Sequence, residues 1–537
     1  MKKPHIIIFN PDQMRSDSMG HLGNIAARTP FLDRFASTEG VSFRNAFCQN
    51  TVCVPSRASF TTGLYPHVHG HRTMTHLLRA GEESLFKELK DQGYHVWMNA
   101  RNDLIAGQID GLLEKHASEI YYGGNAKTPP DPLFEGFKPG EGSIDYSMYR
   151  GELGVDEDGV YYGADDEDLD AAIRRITTYE EENPLCLFLG LINPHPPYQV
   201  ENPYFSAIKR EELPPRIKAE DGKEKARMME LIRSNQKLSH LTESDWNEVR
   251  ACYLGMVMKV DHMFQKLCDA LKEAGIYDDC AIFFLSDHGD YTGDYGISEK
   301  SQNTFEDCLT NVPLLVKPPA WEKVDPGISD SLVELVDFYG TVLDYANCSS
   351  THTHFGKSLK EIIGSRLNEN REFVCCEGGR LAHELHCDEF HANGPQGTNP
   401  YTPYYPRHLA QSDATAHGKA TMIRTRQFKY IARLYEKDEF YDLEKDPKEL
   451  INLMDEEAYR EEILRHKELL MFWYLHTSDV VPFDYDMRFS PEMTWHKLKS
   501  LVPKEHEEEI KMKIAKGVNP FVLMNECKKR FGTEQAD

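Results

Sequence analysis

The sequence predicts an α/β fold: a large, mostly parallel mixed sheet sandwiched by helices, followed by a smaller C-terminal α+β domain. Three observations carry that reading. Short apolar runs bounded by polar turns alternate with stretches whose apolar residues recur every three or four positions. Polar side chains cluster just after several of the runs. Beyond about residue 365 the texture changes to hairpin-like runs and charge-rich helical segments.

His5 to Phe9 reads as the opening strand, with Asn10, Asp12 and Gln13 behind it. Ser84 to Gln92 has helical spacing, and His95 to Met98 is a second strand. Cys186 to Ile192 is a third, trailed by Asn193 and His195 in NPHPPY, whose prolines are expected to hold the backbone extended and aim the imidazole. After the long helical segment Val249 to Gly275, the strand Cys280 to Leu285 delivers Asp287 and His288, and Val312 to Val316 is a further strand. Near-continuous apolar strands suit a parallel sheet buried on both faces, and in such sheets ligands gather beyond the carboxyl ends of the strands. Residues 1–365 are assigned to this main domain.

Residues 366–537 are assigned to the smaller domain. It has a strand from Arg371 to Cys376, hairpins from Thr421 to Leu443, a helical segment from Glu456 to Tyr474 and another from Glu505 to Ala515. Gly378 to Tyr405, with His383, His386, His391 and several tyrosines, is read as a pocket rim, with a plain surface loop or a homo-oligomer contact as the alternatives. No internal repeat or low-complexity tract interrupts the chain.

At 537 residues and 40% hydrophobic residues the chain can bury a substantial core. Its formal net charge of −26, from 61 Lys+Arg against 87 Asp+Glu, argues against nucleic acid or an anionic membrane as a partner. MKKPHIIIFNPDQ lacks the apolar core of a signal peptide, and no segment has the ~18 uninterrupted apolar residues of a membrane span, so a cytoplasmic location is expected. The 12 cysteines are irregularly spaced with no CxxC pair, as expected of reduced thiols.

Several constellations point to chemistry. Asp12 and the pair Asp287-His288 sit at strand ends and together suit a divalent cation, although each alone reads equally as a helix cap. Gly289, Gly293 and Gly296 lead to Lys300, which either reaches back over the pocket to an anion or is a surface lysine. Cys53 precedes a helical run with Pro55, Ser56 and Arg57. A thiol phosphatase loop needs arginine six positions after its cysteine, where this chain has Ser59, so that reading fails.

CVPSR, from Cys53 to Arg57, followed by ASFTTGLYP, resembles the signature of the sulfatase family within the alkaline phosphatase superfamily. The likeness extends to Asp12-Gln13, NPHPPY, SDHGD with its later lysine, and FYDLEKDPKELINL near residue 453. It implies an alkaline phosphatase-like fold and a metal-dependent sulfuric ester hydrolase in which Cys53 is oxidised to formylglycine. The aldehyde hydrates to a geminal diol. One hydroxyl attacks the sulfate ester, and the other then loses its proton to expel sulfate.

The resemblance further implies Asp12, Gln13, Asp287, His288 and residue 53 as metal ligands. Arg57 would stabilise the nucleophile, while His195 and Lys300 would contact sulfate and help protonate the leaving oxygen. The implied partners are a small sulfated substrate and a maturation enzyme, formylglycine-generating or radical-dependent, that reads Cys53, Pro55 and Arg57. Three departures matter. Gln13 stands where many members have aspartate, and His288 where many have asparagine, which makes Mn²⁺ a rival to Ca²⁺, with Mg²⁺ also compatible. Arg101 and Asp103 replace a family lysine and histidine, so Arg101 becomes an anion contact and the base falls to Asp103, His69 or His71. The Asp-Gln and Asp-His pairs resemble the phosphonate monoester hydrolase and choline sulfatase branches. Hydrolysis of a phosphonate monoester or phosphodiester is therefore the alternative activity, and an inactive anion-binding relative the third reading.

Overall fold

Among the described residues of the computed structural model, 2–126, 137–155, 160–483, 485 and 487–532, fourteen strands form three sheets. They are His5–Asn10 (β1), Val41–Phe47 (β2), His95–Asn99 (β3), Glu119–Tyr121 (β4), Tyr149–Glu152 (β5), Leu185–Gly190 (β6) and Tyr198–Val200 (β7). Cys280–Leu285 (β8), Leu314–Lys317 (β9), Gly327–Glu334 (β10), Val374–Gly378 (β11), Ala420–Arg424 (β12), Phe428–Arg433 (β13) and Glu439–Asp442 (β14) complete the set.

The large sheet has the order β10-β2-β9-β8-β1-β6-β3-β4. Only β9 runs antiparallel to its neighbours there. β1 is central, with Ile6 opposite both Cys186 and Ala281. Its side chains alternate between two separate cores, Ile6 and Ile8 in one, Ile7 and Phe9 in the other. β6 and β8 divide in the same way, which is why these strands read as unbroken apolar runs.

One core is covered by the helix Glu243–Glu273. Its start is fixed by Thr242, whose hydroxyl accepts from the Asp245 N–H while the Asp245 carboxylate accepts from the Thr242 N–H. The other core receives the helix Val336–Ala346, almost wholly buried. The carboxyl ends of β2, β8, β1, β6 and β3 all open on one edge, and that edge carries the site.

β2 and β10 were not expected from sequence. Polar residues interrupt both: β10 is the edge strand and β2 its inner neighbour, and Arg44 Nε of β2 pairs with Asp330 of β10 at 2.9 Å. The texture change near residue 365 marks the passage to the antiparallel sheet β11-β12-β13-β14. The helix Arg460–Thr477 buries Ile463, Leu470 and Trp473 against it.

The chain divides into two compact units at residues 480 and 481, and all three sheets belong to the first. The second unit has its own small core of Leu498, Ile510, Ile514, Leu523 and Cys527 on three helices, with Val502 from the turn between the first two. All 12 cysteines are free. No helix among the described residues is long and apolar enough to cross a membrane.

Candidate active site

The helix Cys53–Thr62 starts beyond the end of β2 and is buried along its whole length. Ser56 Oγ donates to the Asp287 carbonyl at 2.6 Å and ties the first turn to the end of β8. Cys53 therefore sits where the unpaired N–H groups of a helix start favour an anion.

Asp12, from the end of β1, is fully buried, and its Oδ2 receives Arg57 Nη2 and Arg101 Nη2, each at 2.9 Å. Arg57 Nε donates to Asp287 Oδ2 at 2.8 Å, so one guanidinium joins the two carboxylates. Burial alone would raise the Asp12 carboxyl, but the charges of Arg57, Lys300 and Arg101 hold it well below the ordinary value.

Cys53 Sγ is the meeting point. It lies 3.2 Å from His288 Nε2, 3.2 Å from Lys300 Nζ and 3.6 Å from Asp12 Oδ1. Burial first, then Asp12, push the thiol well above its ordinary pKa, so the protonated form prevails. His288 Nδ1 donates to the Gly289 carbonyl at 2.9 Å, and burial keeps the imidazole neutral, leaving the Nε2 lone pair directed at this point. The close turn there needs glycine: a Cβ on Gly289 would fall 2.0 Å from the Cys308 carbonyl oxygen.

Asp12, Cys53, Asp287 and His288 each offer a donor atom, and these atoms lie within 4.8 Å of one another. Two carboxylates, an imidazole and one further donor fit a divalent cation of intermediate hardness. Gln13 stands alongside with a left-handed backbone, φ 67°. Four contacts hold it: its N–H donates to Asp287 Oδ1 at 3.1 Å, its Nε2 to Asp290 Oδ2 at 2.6 Å, and its Oε1 and carbonyl accept from Lys300 Nζ and Tyr253 OH at 2.9 Å each.

NPHPPY does not run extended as expected. It turns, with the His195 N–H donating to the Ile192 carbonyl at 2.8 Å and cis peptide bonds before Pro194 and Pro197. His195 Nδ1 donates to the Pro196 carbonyl at 2.6 Å. Burial, then Lys300, keep the ring neutral, so Nε2 is an acceptor in the resting site. Lys300 stays protonated: burial opposes its charge, but the carboxylates of Asp12 and Glu299 outweigh that.

A cavity of about 320 Å³ opens over this group. Cys53, Arg101, Asp103, His195 and Lys300 line one end. The other end is formed by residues between Glu389 and His408, while His383, His386 and His391 do not line it. His69 and His71 turn away to Glu82, at 3.5 and 2.9 Å, which leaves Asp103 as the expected base that faces the cavity. The rim segment Gly378 to Tyr405 does supply Glu389, Asn393, Gln396, Thr402 and Tyr404, though sequence reasoning did not single them out, and it missed Arg407, His408 and Asp290. Of these Asp290 had a signal, lying in the SDHGD motif, and it orients Gln13.

The profile of the Sulfatase family matches residues 4–348. An arylsulfatase of Clostridium perfringens is 25% identical over 504 residues, covering 87% of this chain and 94% of the relative. A choline-sulfatase of Rhizobium meliloti is 26% identical over 473 residues, covering 84% and 83%. In fold, the chain is similar to the phosphonate monoester hydrolase of Agrobacterium radiobacter, with TM-score 0.67, 21% identity, and coverage of 88% of this chain and 96% of that one. With the family profile spanning the parallel sheet and every group that meets at Cys53, the chain belongs to the sulfatase family of enzymes.

Proposed function

We propose that the protein hydrolyses a sulfate ester, with Cys53 matured to formylglycine and one divalent cation held by Asp12, Asp287, His288 and residue 53, Gln13 lying beside them. The observation that carries this reading is the convergence of a lysine, a neutral histidine and a carboxylate on Cys53 Sγ at a buried helix start. Formylglycine supplies a hydrated aldehyde, one hydroxyl to attack sulfur and the other to release sulfate. The cation, when bound, lowers the pKa of that nucleophile and polarises a sulfate oxygen.

The chain's own groups do the rest. The first-turn N–H groups and Arg101 attract the sulfuryl oxygens, and Arg57 keeps Asp12 and Asp287 charged and in place. Lys300, protonated and beside residue 53, is the proton donor to the leaving oxygen. His195, with its proton on Nδ1, instead offers Nε2 as an acceptor within the cavity. Asp103 accepts the proton whose loss releases sulfate. The protonated thiol supports maturation over direct attack by Cys53. A maturation enzyme reading Cys53, Pro55 and Arg57 must meet the chain before it folds, since all three are buried.

Mass spectrometry of the peptide containing residue 53 from active enzyme should show the aldehyde or its hydrate, and an intact thiol there would overturn the proposal. Chelation should abolish turnover, with Mn²⁺ or Ca²⁺ restoring it. A phosphonate monoester presents the same single charge and tetrahedral centre, and the pairs Asp12-Gln13 and Asp287-His288 resemble the phosphonate monoester hydrolase branch as well as the choline sulfatase branch, which makes it the second reading. Matched sulfate and phosphonate esters in steady-state assays decide between them.

A further inference from the structure

We propose that His76, His386 and Cys387 form a separate metal site, suited to Zn²⁺, that clamps the loop carrying Met74 to the segment entering the cavity wall. One ring nitrogen from each histidine and Cys387 Sγ lie within 4.8 Å of one another, although the two histidines come from distant parts of the chain. The site does not depend on which ester the cavity hydrolyses.

The chain draws the two segments together without the ion. Arg72 Nη1 donates to the Gly379 carbonyl at 2.9 Å and its Nη2 to Glu384 at 3.0 Å, while Thr75 Oγ1 donates to the His386 carbonyl at 3.4 Å. The His76 and His386 rings meet edge to face, with centroids 5.9 Å apart. Thr73 Oγ1 lies 2.8 Å from His76 Nδ1, which holds the ring and leaves Nε2 to bind. The His386 ring and Cys387 Sγ make no hydrogen bond among the described residues. Cys387 is 6% exposed, at the end of the short helix Leu385–Cys387, whereas His386 is exposed, so an ion can enter from solvent.

The donor set selects the ion. A thiolate and two imidazoles, with no carboxylate, suit Zn²⁺ and disfavour Ca²⁺, Mg²⁺ and Mn²⁺, unlike the carboxylate-rich set at Asp12 and Asp287. A tetrahedral zinc with bonds of about 2.0–2.3 Å spaces its donors about 3.3–3.8 Å apart, so side-chain rotations of about 1 Å close this set. On binding, the Cys387 thiol gives its proton to solvent and a water takes the fourth position. Met74 and Glu389, close in sequence to the ligands, both line the cavity, so the ion ties two parts of its wall together without touching the reacting group.

The test saturates the full chain with Mn²⁺, which fills the carboxylate-rich site, and then titrates it with Zn²⁺ in equilibrium dialysis. The intact chain should take up one tightly held Zn²⁺ more than His386→Ala, in which the affinity should fall at least about a hundredfold, and Thr73→Ala should weaken it about tenfold. Zn²⁺ should raise the thermal unfolding midpoint of the intact chain and leave that of His386→Ala unmoved. Co²⁺ in place of Zn²⁺ should give a thiolate-to-cobalt charge-transfer band that Cys387→Ser removes and Cys53→Ser keeps. His386 is exposed, so its variant stays readable if the buried Cys387 change impairs folding. Equal zinc uptake by the intact chain and His386→Ala, an unmoved midpoint in the intact chain, or a cobalt band lost with Cys53 and kept without Cys387 would each overturn the site.

Discussion

Arg57 is the residue on which the charge balance of the site depends, because it is 1% exposed and bridges two buried carboxylates. Removing one partner of such a set is costly, since the others stay buried and uncompensated. In the cation-free chain, Arg57→Ala should lower unfolding stability by about 3–5 kcal/mol in urea titrations. Arg57→Lys restores the charge without the planar fork and should fall between the two. A loss under about 1 kcal/mol for the alanine variant would mean that Arg101 and Lys300 already balance Asp12 and Asp287. At this scale the sequence was informative wherever a residue follows a strand. Asp12, His195 and Asp287 are far apart in the chain, yet a parallel sheet brings strand ends to one edge. His408 and Arg407 lie on a short helix, Tyr405–Gln411, in a segment whose spacing carries no such rule.

The elements themselves were legible in proportion to their burial. β1 and β8, buried on both faces, were read almost to the residue, and the long helix Glu243–Glu273 was recognised with its start placed six residues late. β2 and β10 were missed because polar residues break their apolar runs, Arg44 and Asn45 in β2 and Ser329, Asp330 and Ser331 in β10. One short element offers a pH test. The helix Leu85–Asp91 is capped by Ser84, which accepts from the Lys87 N–H and also bonds His116 Nδ1 at 2.7 Å. Burial, then Lys87 and Lys90, push the His116 imidazole from its ordinary 6.5 down to about 4. Between those values the unfolded chain binds the extra proton, so stability is full above pH 6.5 and falls as pH drops toward 4, by up to about 3 kcal/mol. Urea titrations across this window should show that slope, and His116→Asn should flatten it. An unchanged slope in the variant would assign the loss to other groups.

The whole molecule places an anion-binding cavity inside a chain of net charge −26, so local cations must reverse the field. The antiparallel sheet and the segment leading into β12 hold one of those cations in place from behind. Asn303 Nδ2 donates to the carbonyls of Ala416 and Gly418, Arg433 Nη1 donates to the Asn303 carbonyl, and Lys429 Nζ donates to the Phe305 carbonyl. The loop that carries Lys300 is thus held by strands more than a hundred residues later. A chain ending at residue 365 keeps the large sheet and Cys53 but loses both the wall and these supports, and should have no measurable turnover. A chain ending at 480 keeps every residue that lines the cavity, as well as the whole first unit. Its kcat/KM should stay within about threefold of the full chain, because activity depends on groups touching the reacting atoms and those that position them. A 1–480 chain that folds by circular dichroism and holds its cation, yet turns over nothing, would show that the last unit supplies something the cavity itself lacks.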